Sequence, residues 1–267
     1  MSIISLLSDF GHKDPYVAEM KAVILSINPH AQIVDVSHEV EKFSIRMGAY
    51  VLASVAPYFP PGTIHVAVVD PGVGTKRHPI IVETNRSLYV GPDNGLLMLA
   101  AHKEVITNVY AIDNPKYMLS KVSKTFHGRD IFAPAAAHLA TCIKPSDFGS
   151  AIYDYVFPEY AKAHLSGREL FGEILHIDDF GNIISNISAK DIKNAGFHEG
   201  EYLMVTLGGK TLNVAFCSAY GVVPVGTPLV LLGSSNFLEV AYNQGSASKI
   251  FEAKIGTAFR ISAVISS

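Results

Sequence analysis

Short apolar stretches alternate with longer segments whose apolar residues recur every third or fourth position through roughly the first 155 residues. Residues 3–7 form an apolar run of strand length. Between residues 14 and 27, Val17, Met20, Ile24 and Ile27 recur at helical spacing after a polar start. The same patterns predict a strand at residues 33–36, a helix at about 44–55, and strands ending at Val69 and spanning 80–83 and 87–90. Further helices are expected to begin near Asn94 and near Asp130, the second carrying Phe132 and the apolar run from Ala135 to Leu139. This alternation predicts an α/β amino-terminal domain with a largely parallel sheet covered by helices.

After Tyr160 the texture changes. Segments 169–177, 183–187, 202–206, 211–215, 228–232 and 249–263 are short, rich in β-branched or apolar residues, and separated by Gly, Pro, Asn and Asp. They predict a carboxy-terminal antiparallel β-barrel-like domain. With the boundary between Pro158 and Gly167, the expected domains are residues 1–160 and 168–267. No internal repeat or low-complexity tract interrupts either.

Composition narrows the function classes. Of the 267 residues, 49% are apolar and 17% charged, yet Pro, Gly or charge breaks every apolar run. Those runs stop well short of the ~20 residues of a membrane span, so no membrane association is expected. The start MSIISLLSDFGHKD lacks a basic region and a small-residue cleavage site, so it reads as a first buried strand, with cytoplasmic location as the expectation. Cys142 and Cys217 stand alone without CxxC or finger-like histidine spacing. They predict neither a disulfide framework nor a zinc site, and read as buried small hydrophobes. A formal charge of −3 without a basic block argues against a nucleic-acid partner and favours a small-molecule ligand.

Candidate chemistry gathers where strands end. In VVDPGVGTKRHP, residues 68–79, Asp70 leaves an apolar strand, Gly72 and Gly74 allow a tight turn, and Arg77 follows close enough to fold back onto the carboxylate. An Asp-Pro-Gly turn with a surface arginine has the same sequence. SDFGHKDPY, residues 8–16, places Asp9 after the first strand, where a carboxylate can accept both hydroxyls of a ribose or cap the next helix. TFHGRDIFAPAAAHL, residues 125–139, sets Phe126 and His127 before a glycine, and His127 titrates in the range suited to proton exchange or to orienting water. In GPDNG, residues 91–95, Asp93 and Asn94 read as helix caps rather than ligand contacts. The second domain has two polar loops, HIDDFGNIISNI with Asp178, Phe180 and Asn182, and GSSNFLEVAYNQGSA with Ser234 and Ser235. An Asn amide can pair with a purine edge and a Phe can stack on its face, although turn chemistry accounts for both loops equally.

Together, SDFGHKDPY, VVDPGVGTKR, GPDNG, TFHGRDIFAP, IDDFGNIISNI and GSSNFLEVAYNQGSA resemble the S-adenosyl-L-methionine hydroxide adenosyltransferase family, relatives of the fluorinase and chlorinase enzymes. The resemblance spans nearly the whole chain. It implies hydrolysis of S-adenosyl-L-methionine to adenosine and L-methionine by attack of water or hydroxide at ribose C5′. It also implies an amino-terminal α/β domain joined to a β-barrel, and a homotrimer with sites at subunit interfaces. The family's water-holding Asp, Arg and His fall on Asp70, Arg77 and His127, a set that the halogenating relatives lack. Its ribose-diol aspartate falls on Asp9, and Phe43 lies where an aromatic packs near the ribose. Phe126, beside His127, joins the substrate-binding residues. Asp178, Ser234 and Ser235 match positions at the methionine end, and Phe180 and Asn182 match adenine contacts. Ser235 departs from the halogenating relatives, which tend to carry arginine there.

The chemistry implied needs neither metal nor cofactor. A sulfonium leaves as a neutral thioether without a general acid, so the demand falls on the nucleophile, which must be held in line with the C5′–S bond. Arg77 stays protonated and stabilises hydroxide-like charge; Asp70 fixes it, and His127 orients the water or relays its proton. Rival readings are a halide-using adenosyltransferase, a non-catalytic nucleoside-binding protein and a metal hydrolase; the last lacks a recognisable ligand spacing.

Overall fold

Strands buried on both faces need helices on both sides, and that requirement organises the first half of the chain. The computed structural model describes residues 2–264; residues 1 and 265–267, the outer ends of the two expected domains, lie outside the described residues. The chain divides into two compact units, with the division between Pro158 and Glu159. Among the described residues no helix is long and apolar enough to cross a membrane.

In chain order the first unit contains β1 (Ile3–Ser8), α1 (Tyr16–Ile27), β2 (Gln32–Ser37), α2 (Ile45–Val55), β3 (Ile64–Val68), β4 (Pro79–Thr84), β5 (Leu88–Pro92), α3 (Met98–Glu104), β6 (Ile106–Ala111) and α4 (Ala133–Leu139). Sheet order is β2-β1-β3-β5-β4-β6. The pairs β1–β2, β1–β3 and β3–β5 are parallel, while β4 runs antiparallel to β5 and β6. The predicted largely parallel α/β layer is therefore present. On one face Ile4, Leu6, Val66 and Val68 pack with Met20 and Ile24 of α1 and with the alanines of α4. On the other, Gly48 of α2 lies so close to Val69 and Leu96 that a Cβ would crowd both. Strand β6 lies outside the predicted set, since its charged flanks and Thr107 and Asn108 mask the pattern of a sheet edge.

Two first-unit expectations are corrected. Asp93 and Asn94 do not cap a helix, because α3 begins only at Met98 and has no side-chain cap. Instead Asp93 Oδ1 accepts from the Val156 amide at 2.8 Å, and Asn94 Nδ2 donates to the Val69 carbonyl at 2.9 Å, the second bond tying the ends of β3 and β5 together. Cys142 is exposed, in a left-handed conformation after α4, whereas Cys217 is buried as expected.

The second unit contains β7 (His164–Ser166), β8 (Glu169–Ile177), β9 (Ile183–Ser188), α5 (Ala189–Ala195), β10 (Tyr202–Leu207), β11 (Lys210–Phe216), β12 (Pro228–Leu232), β13 (Phe237–Tyr242), α6 (Ala247–Phe251) and β14 (Ala258–Ala263). The order β14-β10-β11-β12-β13-β9-β8 is closed by pairing of β14 with β8, giving a barrel around Leu170, Ile174, Leu203, Val205, Val230 and Phe259. The barrel is mixed rather than wholly antiparallel. Residues 217–227 carry the chain back so that β12 enters parallel to β11 through Ala215 opposite Leu229 and Phe216 opposite Val230. The expected strand over 249–263 is also divided: residues up to Phe251 close the short helix α6, which Ser246 caps by accepting from the Lys249 amide, and only Ala258–Ala263 is strand. Strand β13 lies inside the segment read as a polar loop, where the flanking Ser, Asn and Gly residues hid the FLEVAY alternation.

The turn leaving β3 depends on glycine. Gly74 has φ +75°, and a Cβ there would strike the backbone carbonyl of Lys124, so this turn and the segment before His127 sit in direct contact. Gly74→Ala is expected to lower unfolding free energy by about 1–3 kcal/mol in chemical denaturation. A change under about 0.5 kcal/mol, the range of an inert surface substitution, would show that the contact does not constrain the fold.

Candidate active site

Parallel pairing sets the carboxyl ends of β1 and β3 side by side, with Ser8 opposite Val68. Asp9 and Asp70 leave these neighbouring ends, where open α/β sheets present ligand sites. Beyond Asp70 the chain turns on two backbone bonds, Val73 N–H to the Asp70 carbonyl and Thr75 N–H to the Gly72 carbonyl, each 3.2 Å. That turn returns Arg77 to Asp70. Arg77 Nε donates to Asp70 Oδ1 at 3.0 Å and Nη2 donates to Oδ2, a two-pronged ion pair. Their side chains are only 9% and 5% exposed, and the guanidinium lies 5.4 Å from the centre of the Phe132 ring.

Arg77 Nη2 also donates to His127 Nδ1 at 2.9 Å. A guanidinium has no lone pair to offer, so Nδ1 is the acceptor, and the hydrogen-bond network assigns the imidazole as neutral with its proton on Nε2. The electrostatics agree: burial first, and then the Arg77 charge, hold the His127 pKa below its ordinary 6.5, against the opposing pull of Asp70 and Asp130. The other terminal nitrogen, Arg77 Nη1, is buried and has no hydrogen-bond partner within the chain. A desolvated cationic donor left unpaired is costly, which marks it as a group whose partner is a ligand or solvent.

His127 is delivered by an irregular helix start. Residues Gly128–Phe132 form a π-helical turn ahead of α4, a local insertion common at functional positions. The fully buried Asp130 fastens the preceding loop: Oδ2 accepts from the Ser123 amide at 2.8 Å and Oδ1 from Arg129 Nε at 2.7 Å. Arg129 Nη1 reaches Glu19 of α1 at 2.7 Å. A Cβ on Gly128 would come to 3.2 Å of both Met20 Sδ and the Phe126 ring, so those side chains would have to give way by a few tenths of an ångström.

Asp70 and His127 face a cavity of about 270 Å³ that is also lined by Asp9, Phe10, Phe43 and Phe126, among others. That volume lies just under the ~300 Å³ of small drug-sized pockets, so it suits part of a nucleoside-bearing ligand. Asp9 Oδ2 accepts from the Phe43 amide at 2.9 Å, and Lys42 Nζ donates to the Asp9 carbonyl. Phe43 takes a left-handed φ of +66° and leaves its ring 69% exposed at the rim. Phe126 meets Phe10 and Tyr16 edge to face and those two rings meet tilted, with ring centres 5.2–5.7 Å apart, as an aromatic wall. Of the expected first-unit residues, Asp9, Phe43, Asp70, Phe126 and His127 line one cavity, with Arg77 bonded to two of them. Lys42 and Tyr16 were not anticipated: Lys42 stands outside the quoted motifs, and Tyr16 closes SDFGHKDPY, where the carboxylates drew the reading.

In the second unit, Asp178 and Asn182 close one turn on each other. Asp178 Oδ1 accepts from the Asn182 amide at 2.8 Å and Oδ2 from Asn182 Nδ2 at 2.9 Å, while Phe180 is 81% exposed at the tip. Ser234 and Ser235 lie in the β12–β13 turn, beside the Ser188 end of β9, whereas the Asp178 turn adjoins its Ile183 end. Between them is Glu239, which sequence reading passed over because its segment was read as a polar loop. Its carboxylate packs on Gly233 and accepts from the Tyr220 hydroxyl at 2.9 Å; burial, and then the nearby Asp178 charge, raise its pKa. A larger concavity of about 410 Å³ on the barrel, lined by Phe171, Thr206 and Arg260 among others, offers little chemistry, since Arg260 is bonded to Glu169. Among the described residues no three His, Cys, Asp or Glu side chains gather as a metal-holding group.

Comparison with known proteins finds relatives over nearly the whole chain. The family model described as the SAM hydroxide adenosyltransferase N-terminal domain matches residues 4–149, and that of the C-terminal domain matches residues 172–260. The chain is 38% identical to the (R)-S-adenosyl-L-methionine hydrolase of Thermus thermophilus, over 98% of this chain and 100% of that one. It is 36% identical to the enzyme of the same name from Methanocaldococcus jannaschii, over 94% and 92%. A fluorinase from Actinoplanes sp. is more distant, at 27% over 95% of each. A crystal structure of an uncharacterized conserved protein from Thermotoga maritima superposes with TM-score 0.86 at 37% identity, covering 97% of this chain and 99% of that one. The chain belongs to the SAM hydroxide adenosyltransferase family.

Proposed function

We propose that this protein is an enzyme that hydrolyses S-adenosyl-L-methionine, with the R configuration at sulfur named for its relatives, to adenosine and L-methionine. The observation that carries this reading is the Arg77 guanidinium, bonded to both Asp70 and His127 and left with a buried, unpartnered Nη1. Asp9, Phe43 and Phe126 hold the ribose end. Asp178, Ser234 and Ser235 hold the methionine end, and Phe180 and Asn182 meet adenine. The homotrimer expected of the family supplies these two groups from neighbouring subunits. Cytoplasmic location belongs to the same reading, supported by two cysteines that are both free thiols. The reaction draws on no metal and no cofactor.

In this mechanism the nucleophile's oxygen forms a bond to C5′ as the C5′–S bond breaks, and its electron pair goes to sulfur. The cationic sulfonium becomes a neutral thioether, so the leaving group requires no proton. His127 presents Nε2–H, because Nδ1 is occupied by Arg77, and it therefore orients the nucleophile as a donor rather than removing its proton. Arg77 Nη1 is a second donor to the same oxygen. Two donors engage both lone pairs of a water but leave one lone pair on hydroxide. The set consequently favours hydroxide as the attacking species, stabilised by the adjacent guanidinium in a poorly solvated site. Hydroxide attack gives the 5′-hydroxyl directly and releases no proton, so Asp70, with lone pairs beyond the two accepting from Arg77, orients the nucleophile by accepting a hydrogen bond from its O–H.

The decisive experiment is turnover of a mixture of sulfonium epimers in oxygen-18 water with chromatographic and mass analysis. Label in adenosine, with loss of the R epimer, is expected; label in methionine or no turnover would overturn hydrolysis at C5′. A 5′-halo-adenosine formed with added chloride or fluoride would instead favour the halide-using reading. Equal loss of both epimers would remove only the stereochemical assignment. Separately, Asp70→Ala, Arg77→Ala and His127→Ala should each lower kcat by on the order of 10² or more with smaller changes in KM. Near-native kcat in all three variants would dismiss the water-holding set.

A further inference from the structure

The carboxylate of Asp9 is built into place from behind. Ser8 Oγ lies 2.7 Å from His38 Nδ1, His38 Nε2 lies 3.1 Å from Asp35 Oδ1, and Lys21 Nζ lies 2.5 Å from Asp35 Oδ2. Ser8 and His38 are each 1% exposed. The row has the residue types of a nucleophilic triad, but its serine is sealed from solvent and ends at the residue before Asp9. Its function has to be sought in what it holds.

Each proton in the row can be assigned. Burial opposes ionisation of Asp35, but hydrogen bonds from Lys21 and His38 outweigh it and hold its pKa below the ordinary carboxylate value. The carboxylate therefore accepts from His38 Nε2–H, leaving Nδ1 to accept from the Ser8 hydroxyl. A remaining Ser8 lone pair accepts the Phe10 amide at 3.3 Å, spanning Asp9, and the His38 carbonyl accepts the Gly11 amide at 2.7 Å. The ring and the backbone of one histidine thus fasten the chain on both sides of Asp9, while the Phe43 amide holds its carboxylate from the cavity side. A buried Ser8–His38 pair that served packing alone would be costly compared with apolar residues of the same volume.

We propose that the Ser8–His38–Asp35 row positions the ribose-binding carboxylate, with His38 as a positioning residue that sets Asp9 for both hydroxyls of the ribose. The inference rests on the reading of Asp9 as the diol acceptor. It makes the fit of the diol, and not general nucleoside affinity, depend on two side chains that never touch the ligand.

Calorimetric titration of the full chain with adenosine and with 2′,3′-dideoxyadenosine separates these effects, because the second ligand lacks the groups that Asp9 would hold. Ser8→Ala and His38→Ala should weaken adenosine binding by about fivefold to tenfold, the worth of one or two hydrogen bonds, and leave the dideoxy ligand unchanged. His38→Asn, whose amide oxygen can accept from Ser8, should recover most of the loss. Equal weakening of both ligands, or unchanged adenosine affinity in folded Ser8→Ala protein, would overturn the positioning role alone. A wild-type protein that does not prefer adenosine over its dideoxy analogue would overturn the diol reading of Asp9, and the proposal with it.

Discussion

One buried guanidinium sets the chemistry of this protein. Arg77 gives two nitrogens to Asp70 and, from one of those nitrogens, a further hydrogen to His127 Nδ1. The pairing with Asp70 offsets the cost of burying a cation, and the bond to His127 fixes which ring nitrogen carries the proton. A water-holding set built this way has its donors arranged before any ligand arrives. Reorganisation of the site contributes correspondingly little to the barrier, which is the main electrostatic advantage of a preformed site.

The rest of the first unit follows from bringing three separated segments to that guanidinium. Parallel strands β1 and β3 deliver Asp9 and Asp70 to neighbouring ends, the Gly74 turn returns Arg77, and the π-helical turn before α4 delivers His127. Buried anchors hold each segment: the Ser8–His38 pair behind Asp9, backed by the exposed Asp35, and Asp130 behind the loop of Phe126 and His127. Cavity residues are thus supported by a second layer of buried polar groups, each with a defined partner. Such layers tolerate little change, because removing one partner strands the other without solvent.

Much of this was legible in the sequence, for identifiable reasons. Apolar runs ending in Asp, followed by glycine, announce strand ends and turns, and Asp9, Asp70 and Arg77 stand in such motifs, while His127 is marked by the glycine after it. What stayed hidden depends on distance along the chain. The contact of Lys42 with the Asp9 carbonyl spans 33 residues, and Asp93 was mistaken for a cap because its partner, the Val156 amide, is 63 residues away. In the barrel, local composition misled in both directions. Polar flanks concealed β13 and with it Glu239, while a uniform apolar texture over 249–263 concealed the end of α6 and the turn before β14. The parallel entry of β12 beside β11 is a matter of how residues 217–227 cross the barrel, which no local pattern encodes.

The central claim is that Arg77 keeps His127 neutral with its proton on Nε2, and nitrogen-15 NMR of the labelled imidazole across pH tests it directly. The expected spectrum has a protonated Nε2 and an unprotonated, hydrogen-bonded Nδ1 at neutral pH, with titration only below the ordinary 6.5, and Arg77→Ala should lose that tautomer preference. A proton on Nδ1, or an imidazolium at neutral pH, would contradict it.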